Sequence, residues 1–194
     1  MIVDMVSAAI RKMSSGRAVL GSFVAFAALA ALINGQPFGT AEFEAITGGA
    51  GILDMAFIYT PEQAYAMLAA LGDAGRASYL TRIVPLDPVF PAAYTLFYAV
   101  AITWLLLRWL PAESPWMHLN VVPLVAGAAD YCKNAGVIAM LLAYPAELYG
   151  VAAFTAVISP IKFTFIMLSM LIVLGALAGW AASGLRGRRR RAGA

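Results

Sequence analysis

Four long apolar stretches, at about residues 18–34, 88–110, 116–144 and 153–182, decide most of what this chain can become. A hydrocarbon core of ~30 Å is crossed by about 20 apolar residues in helical form, because lipid offers no partner to backbone N–H and C=O groups. Each stretch reaches that length except the first, which borrows from its flanks. Charged residues make up 12% of the chain, about half the ~25% of an ordinary soluble domain. With a mean hydropathy of +0.83, this argues against a soluble globular fold and for a single all-α domain, a four-helix transmembrane bundle.

The segments between the stretches orient it. Residues 1–17 hold Arg11, Lys12 and Arg17 among apolar positions, as an amphipathic lead-in does. No A-x-A cleavage site precedes Asn34-Gly35-Gln36-Pro37, so the first span reads as uncleaved. Residues 35–87 form the largest polar section, with Glu42, Glu44, Asp54, Glu62, Asp73, Arg76, Arg82 and Asp87, and a flexible turn at glycines 48, 49 and 51.

Within that section, Thr60-Pro61-Glu62-Gln63 predicts a capped helix from Pro61 to Leu71 with Gly72 as its C-terminal cap. A second short helix is expected from about Asp73 to Ile83, ending before Pro85. Tyr65, Leu68 and Leu71 against Tyr79, Leu80 and Ile83 suggest a pair lying on the membrane surface or capping the bundle.

Four crossings leave both termini on one side. The N-terminal segment, Arg108 and the basic tail 183–194 share that side, while residues 35–87 carry two Arg against six acidic residues. The positive-inside rule then makes both termini cytoplasmic in a bacterial inner membrane, with a helical cap between helices one and two facing outward. Seven of the thirteen Lys/Arg residues lie before residue 18 or in the run Arg188 to Arg191, so the net charge of +3 reads as topogenic and nucleic acid is not an expected partner.

Cys132 is the only cysteine and His118 the only histidine, which excludes an intramolecular disulfide, a cysteine-based cluster and a three-histidine metal site. No metal or cofactor is expected. His118 reads as a solvated residue at a loop end.

Asp130, Lys133 and Lys162 stand inside spans, where an ionised group costs ~2.5–3.5 kcal/mol on insertion scales and calls for a compensating neighbour. Asp130, Lys133 and Asn134 are spaced i, i+3, i+4 and share one helical face. At ~1.5 Å per residue, Asp130 lies ~21 Å and Lys133 ~16 Å from the outer end of the third helix, and Lys162 ~13 Å from that of the fourth. The four residues can form a network if those helices pack face to face. Two lysines against one aspartate leave a positive surplus, and Asp87 and Glu147 are the nearest candidates for a second acid. The Ser159-Pro160 pair predicts a kink or late helix start one turn before Lys162.

Three roles fit such a patch. It can be an interhelical clamp, worth only about 0.6 kcal/mol per polar contact in membranes, a ligand or substrate site opening outward, or an ion or proton path. If chemistry occurs, Asp130 is the best general acid or base and Lys162 its electrostatic partner. A ligand's head would meet Arg76, Arg82 and Asp87 with Tyr79 beside them, and its chain would lie near Asp130, Lys133, Asn134 and Lys162.

The string Tyr59-Thr60-Pro61-Glu62-Gln63-Ala64-Tyr65, then Leu71-Gly72-Asp73-Ala74-Gly75-Arg76 and Tyr79, resembles the outer segment of a family of small four-span bacterial membrane proteins. Asp87 with Pro91 and Tyr94, Asp130 through Asn134, and Phe154-Thr155 with Lys162 fall at that family's other recurring positions, so the resemblance covers about residues 52–175. It implies the four-span architecture and marks the polar residues, but brings no assigned activity. Lys133 departs from it, standing where an acid is expected.

The expectation is a polytopic inner-membrane protein that binds an amphipathic lipid or isoprenoid-like molecule, with a membrane lipid as partner. The rival reading is a noncatalytic accessory subunit of a larger membrane complex, with protein partners, and self-association is open in both. A small transporter ranks third, since no internal repeat or pair of broken helices is seen.

Overall fold

The computed structural model describes residues 1–35, 51–86 and 88–192, with side chains up to Leu185 in the last range. Asp87 and residues 36–50 of the expected outer segment lie outside the described residues, as do the side chains of the arginine run. Among the described residues seven α-helices follow one another: α1 (Ile2–Met13), α2 (Gly16–Asn34), α3 (Pro61–Ala70), α4 (Gly72–Ser78), α5 (Val89–Leu106), α6 (Val122–Ala143) and α7 (Tyr149–Ala192). Three of them, α2, α5 and α7, are long and apolar enough to cross a membrane. The 22-residue α6 has the length as well, but Asp130, Lys133 and Asn134 interrupt its apolar run.

The stretch expected as one helix from 116 to 144 opens instead as a 3-10 segment, Pro115–Val121, and turns α-helical only at Val122. Pro115 and Pro123 each lack an N–H and suit a first helical position, so each starts its own element. Pro160 neither stops nor delays a helix: α7 runs through it from Tyr149. A proline withholds one backbone hydrogen bond, and flanking turns packed on neighbours can hold the helix together regardless.

The most extensive contact is between α6 and α7, which run antiparallel: Gly136 meets Thr155 and Asp130 meets Lys162. α5 packs on both. α2 packs on α5 through rings, with Phe26 stacked on Phe97 at a centroid distance of 5.5 Å and Phe23 tilted on Phe97 at 5.3 Å. α1 crosses the end where α5 finishes. Its Ser7 and Ile10 are buried, and Asn120 of the 3-10 segment donates to Ser7 O at 3.2 Å and to Thr103 Oγ1 of α5 at 3.0 Å. His118, at the same end, is bonded to Asp4 at 3.0 Å and to Pro115 O at 3.1 Å.

At the opposite end, residues 51–86 fold over α6 and α7. Thr60 Oγ1 accepts from the Gln63 amide at 3.3 Å while Gln63 Oε1 accepts from the Thr60 amide at 2.8 Å, and Pro61 occupies the first turn of α3. Gly72 takes φ +61°, the left-handed conformation that separates α3 from α4 at no Cβ cost. Instead of continuing to Ile83 as an α-helix, α4 widens at Ser78 into a π turn over Tyr79–Ile83. Ala64, Tyr65 and Leu68 of α3, with Ile52, Leu53 and Tyr79, bury against Val137, Met140, Leu141 and Ala152. Replacing Thr60 with alanine should cost about 1 kcal/mol. The check is a lowered thermal midpoint in detergent with faster amide exchange at Glu62 and Gln63, and an unchanged midpoint would count against the cap's contribution.

Candidate functional site

The 3-10 turn Leu53–Met55 contacts α6 directly, and Asp54 and Ala56 reach the level of Lys133. Lys133 is ten residues from Ala143, the end of α6, which puts this turn about 15 Å along the helix axis. Irregular backbone at such depth leaves carbonyls that only protein can satisfy. Lys133, fully buried, supplies them: Nζ donates to Ala56 O at 3.1 Å, to Asp54 O at 3.4 Å and to Ser159 Oγ at 2.7 Å. Ser159 in turn donates to Ala56 O. An ionised acid at 133 would have only acceptors to offer two carbonyls, so a lysine suits what the inserted turn requires.

Asp54 carries the charge opposite. It is buried, its Oδ2 accepts from the Tyr79 hydroxyl, and its amide donates to the same hydroxyl at 3.3 Å. The Asn134 amide, oriented so that its nitrogen faces the surrounding acceptors, donates to Asp54 Oδ1 at 3.3 Å and to Asp130 Oδ1 at 3.2 Å. Asn134 therefore joins two halves of one cluster. In the second half, Asp130 Oδ1 lies 2.6 Å from Lys162 Nζ and Oδ2 accepts from the Tyr94 hydroxyl of α5 at 3.0 Å. Phe163 faces both ammonium groups, its ring centroid 5.3 Å from each.

Two aspartates thus stand against two lysines. Among the described residues the second acid is Asp54; Glu147, also suggested by the sequence, sits beside the Tyr149 hydroxyl, and Asp87 lies outside the described residues. The recognisable sign was a lone acid inside the apolar run Ile52–Tyr59, the same sign that marks Asp130. Lys162, expected at the depth of Lys133 and Asn134, pairs one turn away with Asp130.

Of the cap residues, Tyr79 is drawn into the cluster and Arg76 is not. Arg76 donates to Leu68 O at 2.8 Å, pairs with Asp73 and lies 3.8 Å over the Tyr144 ring, which pins α4 to α3 and to the end of α6. Arg82 is exposed beyond it.

Chemically, the cluster can hold an anion or exchange a proton at Asp130. Lys162 is the group with spare capacity: its ammonium has three N–H donors, and Asp130 is the one acceptor it meets among the described residues. Among the described residues no three His, Cys, Asp or Glu side chains come together that could hold a metal ion. Comparison with models of known families, with curated proteins and with solved structures finds no match to this chain.

Proposed function

We propose that the chain is a four-span integral membrane protein, with α6 crossing beside α2, α5 and α7, related to the small bacterial membrane family it resembles. In this reading both termini are cytoplasmic, and the polar centre receives the head group of an amphipathic lipid or isoprenoid-like molecule. The observation that carries it is the unused donor capacity of Lys162, buried at 8% exposure in the interior of an apolar helix. Asp130 matches its charge, and a phosphate or carboxylate head offers acceptors to the N–H donors that Asp130 leaves over. Asp130 and Tyr94 set the ammonium's position from the far side.

The test is native mass spectrometry of the full chain extracted in mild detergent. One defined lipid should stay bound to the parent protein and be lost in Lys162→Met, with Asp130→Asn/Lys162→Met behaving alike. An unchanged number of retained lipids in both variants sinks the reading.

A second reading, a noncatalytic accessory subunit, draws support from the other half of the cluster, where Asp54, Lys133 and Ser159 serve to hold the inserted turn. A stoichiometric protein partner with no retained lipid is its expected result in the same experiment.

A further inference from the structure

All four tryptophans of the chain gather at the α1 end, far from the polar centre, and two of them, Trp109 and Trp116, line a cleft of about 350 Å³ between the end of α5, the 3-10 segment and α7. Its walls include Leu106, Trp109, Trp116, Leu119, Ile172 and Gly175. Trp116 is 61% and Trp109 40% exposed, and an aromatic that open on a membrane protein sits at the headgroup level. Beside this apolar cleft stands a cation. Arg108, next to Trp109 in sequence, lies 4.1 Å over the Trp104 ring and 5.8 Å from that of Trp180, which follows the cleft wall residue Ala176 by one helical turn. Its guanidinium makes no ion pair or hydrogen bond among the described residues, and it brings five N–H donors. Arg11, Lys12 and Arg17 add positive charge at the same end.

The geometry points to a phospholipid site: the phosphate of an anionic phospholipid on Arg108, and one acyl chain in the cleft. The Trp104 ring covers one face of the guanidinium and leaves its N–H edge to the phosphate, in the bidentate manner arginine prefers. Charge complementarity selects an anionic lipid over a zwitterionic one. The inference needs α5 and α7 to stand in a bilayer and is independent of any ligand at Lys162.

The full chain in mixed detergent micelles is titrated with phosphatidylglycerol or phosphatidylcholine carrying brominated chains, and tryptophan quenching is followed. Because all four tryptophans frame this end, quenching reports on it. The parent should be half-quenched at about tenfold less phosphatidylglycerol than phosphatidylcholine, the ratio expected of one charge-assisted contact. Arg108→Gln should lose that preference. Gly175→Leu adds a side chain where a Cβ meets no atom within 4 Å, so the helix packing is kept while the cleft fills, and quenching by both lipids should weaken. Equal quenching of the parent by the two lipids, an undiminished preference in Arg108→Gln, or unchanged quenching in Gly175→Leu each overturns the site.

Discussion

Lys162→Met should lower stability by about 3 kcal/mol, while Asp130→Asn/Lys162→Met should cost only about 1 kcal/mol, although it changes more atoms. Removing the ammonium leaves the Asp130 carboxylate in the interior with Tyr94 and Asn134 as its remaining partners. An unmatched buried charge carries most of its desolvation penalty, whereas an asparagine in its place is neutral and still accepts from Tyr94. The single variant Asp130→Asn should fall on the destabilised side as well, because it strands Lys162. Denaturation of purified protein in detergent, arranged as a double-mutant cycle, reads the coupling directly. Singles and double within about 0.5 kcal/mol of each other would mean that water or lipid already compensates both charges.

Gly136→Ala should destabilise by about 2 kcal/mol, although alanine raises intrinsic helix propensity by about 1 kcal/mol over glycine. A Cβ on Gly136 would overlap the Thr155 methyl, with Val151 Cγ1 3.4 Å away on the other side. α6 and α7 would be forced apart at the level just outside the ion cluster. Thr155→Ser removes the methyl and keeps a hydroxyl able to bond Ala152 O, as Thr155 Oγ1 does at 2.9 Å. Adding it to Gly136→Ala should therefore recover most of the loss in thermal midpoint. No recovery would show that the helices are not held this closely at Gly136. If the cluster depends on this approach, Gly136→Ala should also weaken whatever Lys162 holds.

The polar residues announced themselves in sequence because charge inside an apolar run is costly and rarely idle. Asp130, Lys133, Asn134 and Lys162 were legible on that ground, and Thr60 to Gln63 on local capping chemistry alone. Asp54 obeyed the same rule but sat in a section rich in other acids, where one more carboxylate carried no contrast. Arg76 was legible as a cation and not as a packed one, since Asp73, Leu68 O and the Tyr144 ring come from three different places in the fold.

Helical content, the three apolar helices long enough for a bilayer and the break at Gly72 follow from periodicity, length and backbone sterics, which act over a few residues and need no partner. Partnership does not. That Lys133 reaches into the cap while Lys162 takes Asp130, that Asp54 balances the charge, and that residues 51–56 insert between helices instead of resting on them depend on which carbonyls are left unsatisfied once α6 and α7 have closed on Gly136. Such unmet hydrogen bonds exist only in three dimensions, and the side chains that answer them lie up to 103 residues away, as Ser159 does from Ala56.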